Sequence, residues 1–180
     1  QRLGSSSVIV VGIAGVVGVL VALLAMAIGF HKTVANSGRA DRAIVLRGGS
    51  QAEINSSITR DNALTILDAA GVRKDASGKP IGCGELVTIV NLPKIDDGNS
   101  SNVTLRGSCG QLPQLRPELK LVEGRMFQPA VRELIVGVGA AKQFRGVTLG
   151  KTISCRDSDW TVVGIFSADG GAHGSELIAD

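Results

Sequence analysis

The chain has 180 residues, a formal net charge of +3 and 3% aromatic residues, with no tyrosine. Its positive residues are scattered among acidic ones, and without a basic stripe interleaved with stacking rings nucleic acid is excluded as a partner. Three cysteines, Cys83, Cys109 and Cys155, lack paired ligand spacing. That pattern argues against a zinc site and allows at most one internal disulfide, with all three pairings open.

In chain order the first element is "VIVVGIAGVVGVLVALLAMAIGF", Val8 to Phe30, in which no residue is charged or strongly polar. A helix of this length crosses a hydrocarbon core of about 30 Å. A cleaved signal peptide is the competing reading, with Ala25-Met26-Ala27 as the cleavage form and Arg2 as the positive start, but the apolar run exceeds the usual length. A buried core helix fails on length as well. Gly12, Gly15 and Gly18 allow close helix packing in lipid, although they do not form a G-x-x-x-G pair. "HKTVANSGRADR" then turns polar, and the helix is expected to run a turn or two further and stop near Gly38, leaving a short stalk.

"AIVLRGGS" is read next as a strand ended by a double glycine. Thr59 caps a helix with Ala63, Ile66, Leu67 and Ala70 on one core-facing side, closed by Gly71. "DASGKPIG" is turn chemistry, and "ELVTIVNLP" is a strand stopped by Pro93. "DDGNSSN" forms a hairpin loop into "NVTLRG". Asn99 and Asn102 each fit a glycosylation acceptor but read as ordinary turn residues. "ELKLVEGRMF", "ELIVGVGAAKQF", "TISC" and "DWTVVGIFSA" supply further short strands, with one helical turn at "GAAKQF". The absence of regular strand–helix alternation predicts an α+β fold with a mixed sheet rather than a doubly wound one.

Four stretches imitate catalytic or nucleotide sites and are set aside. "GVTLGKT", Gly146 to Thr152, has three residues where a phosphate loop needs four, and it follows a helix and leads into a strand, the reverse of the required context. Gly137-Val138-Gly139 resembles a dinucleotide turn, but Lys142 holds the third glycine position. "GSC" at Cys109 and "AHGSE" around His173 and Ser175 offer nucleophiles without the G-x-S-x-G elbow. His173 lies near Gly164, Gly170, Gly171 and Gly174, where a mobile loop is expected. Asp96-Asp97 are solvated loop carboxylates. No catalytic, cofactor-binding or metal-binding residue is therefore assigned.

The order of segments resembles the extracytoplasmic region of MacB-like ABC transporter permeases. The resemblance spans nearly the whole chain and is carried by the apolar first helix, "DRAIVLRGGS", "VTLRG", "LVEGRMFQPAVRELIVGVGAAKQFRGVTLGKTI" and "WTVVGIFSADGGAHGSELIAD". The block from Glu123 to Phe166 is the most specific, with a short helix ending in Phe-x-Gly, then "LGK" and a "VVGIF" strand. It implies residues 1–7 as a cytoplasmic stub, 8–30 as the transmembrane helix, 31–40 as a stalk and 41–180 as a partial MacB-like periplasmic core domain. Residues 31–180 would face the periplasm or exterior of an inner membrane. Three further helices would follow, so the sequence is expected to be the N-terminal part of a longer permease, with a later segment completing the sheet. Lys32, Arg39 and Arg42 after the span outnumber Arg2 before it, which alone favours the opposite orientation; the family topology places the start in the cytoplasm.

The implied function is a permease subunit that couples ATP hydrolysis by a partner ABC ATPase to movement of its extracytoplasmic domain and export or extraction of a substrate. ATP would sit on the partner and no cofactor on this chain. A second permease copy or related permease and membrane lipid complete the expected partners. The alternative is a membrane-anchored or secreted α+β binding protein with no transport role.

Overall fold

A computed structural model describes residues 2–37, 39–155, 158–168 and 171–180. It divides into two units, Gln1–Gly38 and Arg39–Asp180. The first is a single helix, α1 (Arg2–Ser37), exposed at every apolar position from Val8 to Phe30. Its stretch Ser7–Lys32 has a mean hydropathy of 3.0 over its most apolar part. It is apolar on all sides rather than along one stripe, as suits a helix surrounded by lipid. At 1.5 Å per residue the stretch extends about 39 Å, more than a hydrocarbon core requires. Gly38, the expected stop, lies outside the described residues.

The second unit is built on one seven-stranded mixed sheet. Its strands are β1 (Leu86–Pro93), β2 (Ser100–Gly107), β3 (Lys120–Gly124), β4 (Glu133–Gly137), β5 (Thr152–Cys155), β6 (Ser158–Ser167) and β7 (Leu177–Ala179), in the order β1-β2-β7-β4-β6-β3. β4 runs parallel to β6 and β7 runs parallel to β2, while the other pairings are antiparallel. β5 pairs with the first half of β6, Ser158 to Thr161, and β3 with its end, Gly164 to Ser167. The α+β expectation with a mixed sheet holds.

Alternation along the central strands supplies a core on each face. Leu134, Val136, Leu177 and Ala179 point to one face with Val90, Leu92, Val103, Phe144 and Val162. Ile135 and Ile178 point to the other with Leu112, Phe127 and Phe166. β4 is buried throughout, which accounts for its unbroken apolar run. At the end of β3, Gly124 has φ +77°, and a Cβ there would overlap the Val163 carbonyl on the adjacent strand, so both the backbone and the packing require glycine.

Several expectations need correction. "AIVLRGGS" is not a strand: no ladder partner lies alongside it, and Ile44 and Val45 are 59% and 52% exposed. β propensity alone does not make a strand without an edge to pair with. The Thr59-capped helix, α2 (Arg60–Leu67), forms with the Asn62 N–H donating to the Thr59 hydroxyl at 3.3 Å. It ends before Ala70, which is exposed, and none of its residues is buried; Ala63, Ile66 and Leu67 are only half-covered. Asn102 is not a turn residue but pairs with Asn91 in the β1–β2 ladder. Two short helices complete the unit, α3 (Leu112–Leu115), not anticipated, and α4 (Val138–Gln143), the expected turn at "GAAKQF".

No residue from 39 to 85 is buried. This arm of the chain has no core of its own. It is tied to the sheet by polar groups and by a disulfide between Cys83 and Cys109, whose Cα atoms are 6.2 Å apart. Cys155 is the free thiol, buried at the end of β5.

Candidate functional site

The glycine-lysine segment is a turn from α4 into β5. The Gly150 N–H donates to the Val162 carbonyl and the Val162 N–H to the Lys151 carbonyl, each at 2.8 Å. The backbone donor that a phosphate would need is therefore already used by β6. The Gly137–Gly139 turn is explained by packing: a Cβ on Gly137 would overlap the Gly174 carbonyl, and one on Gly139 would crowd Ser175. The 3₁₀ turn Ala172–Ser175 occupies the place where a dinucleotide would approach α4. Ser108 is buried with its hydroxyl donating to Glu85, and Cys109 is in the disulfide, so neither is a free nucleophile.

A cleft of about 390 Å³ opens between α4, β3, β6 and the loop before β5. Val138, Ala141, Leu149 and Ile165 give it an apolar floor, with Glu123, Lys142 and Thr148 among its walls. It offers room for an apolar group and holds no paired nucleophile and base.

The densest chemistry lies elsewhere, in a buried ionic cluster. Arg106 on β2 is 2% exposed and donates to three carboxylates: Nη2 to Glu53 at 2.7 Å, Nη1 to Glu85 at 2.8 Å and Nε to Glu176 at 2.9 Å. Arg116, after α3, is 4% exposed and donates to Glu85 at 2.8 Å and to His173 Nε2 at 2.6 Å. A guanidinium only donates, so Nε2 must carry the lone pair and the ring proton sits on Nδ1. Nδ1 lies 3.1 Å from Glu176 Oε2, without good hydrogen-bond alignment.

Burial pushes the Glu176 carboxyl up, but the His173 Nδ1–H beside it and the Arg106 guanidinium, which both donates to it and carries a charge, outweigh burial and hold the group at about 2. Glu85 is likewise held below the carboxylate range, burial being outweighed by Arg116 and Arg106. Arg106 loses to burial and gains more from Glu176 and Glu53, so its cationic form is strengthened. Such a cluster ties segments together and fixes their register; breaking one partner is costly because the others stay buried and charged. His173, expected in a mobile loop, is instead a packed member of this cluster with 14% of its side chain exposed, because Arg116 and Glu176 enclose it. Gly170, one of the glycines behind that expectation, lies outside the described residues.

A second tie sits at the start of the unit. Arg42 Nη1 donates to the Leu115 carbonyl at 2.6 Å and pairs with Glu118 Oε1 at 2.7 Å, with side chains 16% and 19% exposed. The sequence marks Arg42 only as a charge flanking the span and gives no role to Arg106 or Arg116. Each stands singly in a polar or alternating stretch, and no spacing rule links residues that meet only through the sheet. Among the described residues no group of three or more His, Cys, Asp or Glu is placed to hold a metal ion.

Comparison with known proteins places this architecture. The sequence profile of the MacB-like periplasmic core domain matches residues 6–179. Among solved structures, the periplasmic region of MacB from Actinobacillus actinomycetemcomitans aligns with a TM-score of 0.50 and 16% identity, over 74% of this chain and 62% of that one. The extracellular domain of the noncanonic ABC-type transporter YknZ from Gram-positive bacteria aligns with a TM-score of 0.49 and 18% identity, over 67% of this chain and 61% of that one. The chain thus spans about three fifths of the length of these structures. The MacB likeness shows a shared fold. No curated protein matches the sequence.

Proposed function

The chain belongs to the MacB-like periplasmic core domain family, and from that premise we propose that it is part of an ABC transporter permease that transmits movement rather than performing covalent chemistry. A partner ABC ATPase would bind and release nucleotide on one side of the membrane. Its two states would favour different positions of α1, and the chain would carry that difference to the α+β unit. Residues 31–180 would lie outside the cytoplasm, and a second permease copy or a related permease would complete the transporter. The moved substrate would be handled by the assembled transporter.

The observation that carries this reading is the direct succession of a lipid-compatible helix ending at Ser37 and a compact α+β unit starting at Arg39, both within the family match over residues 6–179. The exposed Lys151 provides the test. With Cys155→Ser as background, Lys151→Cys in the full-length polypeptide is expected to react with an impermeant thiol reagent in intact cells. A fluorophore there should change its emission when the co-reconstituted ATPase binds ATP. Labelling only after lysis would refute the topology, and emission indifferent to ATP would refute the coupling.

A further inference from the structure

We infer that Arg42 is the coupling clamp of this protein, the first point at which displacement of α1 is delivered to the domain; the inference rests on the movement-transmitting reading above and gives it a residue. The argument starts from the covalent path. α1 ends at Ser37, and a tight turn follows in which the Arg42 N–H donates to the Arg39 carbonyl at 3.2 Å. Within that turn Arg39 pairs with Asp41 at 2.9 Å, a local contact between two half-exposed side chains. Arg42 is then the first side chain to grip the folded unit, holding a carbonyl and a carboxylate at once.

What it grips is firmly bedded. The acceptor carbonyl belongs to Leu115, the last residue of α3, whose first residue Leu112 is 1% exposed in the second core. The next residue, Arg116, is locked into the buried ionic cluster, and the Leu119 N–H donates back to its carbonyl at 2.9 Å. Glu118 Oε2 is buried without a hydrogen bond, so its carboxylate depends on Arg42 for compensation among the described ion pairs.

Beyond Arg42 the chain is slack. Residues 43–47 have no ladder partner, and the Arg47 N–H donates to the Ser56 hydroxyl of the same segment at 2.9 Å. Among the described residues the next hydrogen bond or ion pair from the chain to the sheet is Glu53 on Arg106. An extended chain spans at most about 3.3–3.6 Å per residue, so the path from Ser37 to Arg42 reaches roughly 17 Å, and release of Arg42 adds up to about as much again before the hydrogen-bonded turn from Arg47 to Ser56, which carries Glu53, takes the load. Only a short tether can convert a helix displacement of a few ångströms into movement of the domain.

The test uses the full-length polypeptide in nanodiscs with its ATPase, in the Cys155→Ser background, spin-labelled at Met26→Cys and Lys151→Cys. Arg42→Ala is expected to broaden the inter-label distance distribution and to abolish its ATP-dependent shift while the partner still hydrolyses ATP. A flexible Gly/Ser insertion between Ala40 and Asp41, which keeps the Arg42 contacts but lengthens the tether, is expected to do the same. Unchanged Trp160 emission in both variants shows that the fold persists. Distributions as narrow and as ATP-responsive in Arg42→Ala as in the parent would overturn the inference alone. A parent that fails to shift with ATP would overturn the coupling reading beneath it.

Discussion

Replacing Glu176 by Gln should remove a defined, pH-dependent part of the domain's stability. The substitution keeps the side-chain shape and one acceptor oxygen for Arg106 but deletes the charge that faces Arg106 Nε at 2.9 Å and His173 Nδ1 at 3.1 Å. In the folded chain this carboxyl is held at about 2 against an ordinary 4.5. A carboxyl depressed on folding stabilises the fold when ionised, so its contribution is complete above the unfolded value and lost as pH falls through the folded one. With 1.36 kcal/mol for each pH unit of displacement, the contribution is about 3 kcal/mol at pH 7, about half of that at pH 3 and nearly gone below pH 2. Urea unfolding of parent and Glu176→Gln chains in nanodiscs, followed through the single tryptophan Trp160 from pH 7 to pH 2.5, measures this directly. Comparing the two chains cancels the other carboxylates. A difference that stays constant across this range, or one below about 1 kcal/mol at pH 7, would refute the reasoning, because it would mean that the buried cluster does not hold Glu176 ionised.

Three further outcomes are expected. Cys83→Ser, or reduction, opens a disulfide with a sequence separation of 26; the chain-entropy argument gives a loss of about 3–4 kcal/mol, read from the same urea curves with and without reductant. Gly137→Ala should destabilise the domain strongly, because its Cβ would meet the Gly174 backbone, whereas Gly146→Ala, at φ +76° in open space, should cost only about 1–2 kcal/mol of left-handed strain; equal losses in the two variants would count against the packing account. Val19→Asp should cost about 2.5–3.5 kcal/mol of membrane insertion on the biological scale, measured as the inserted fraction in a microsomal glycosylation assay.

The parts of the fold that sequence made legible are those whose pattern is local. "ELIVG" and "DWTVVGIFSA" carry unbroken apolar runs because β4 and the later half of β6 lie deep in the sheet, and Thr59 announced α2 because a cap needs only its own first turn. What stayed hidden depends on partners far along the chain. "AIVLR" has strand composition, yet whether a neighbouring edge lies beside it is decided elsewhere. "ELIAD" is too short to read as a strand by its own pattern and supplies β7, the strand between β2 and β4. The Cys83–Cys109 pairing follows from bringing the loop before β1 against the end of β2. Glycines around His173 suggested looseness, but Gly164 serves close backbone approach, and the ionic cluster that immobilises the ring is drawn from segments as distant as Glu53 and Glu176.

The placement of β7 also sets the order in which this domain can assemble. Leu105 must wait for Leu177 to form its parallel pair, and Leu134 for Ala179, so the strand that closes the middle of the sheet is made after the strands on either side of it. During vectorial synthesis and export, β1–β2 and β3–β6 can form as separate local pieces, each with an open edge where β7 belongs. Non-local pairing of this kind is slow, and open edges invite contact with other chains. Until residues 177–179 are in place, the nascent chain therefore carries open edges on β2 and β4, where pairing with another chain competes with the native sheet.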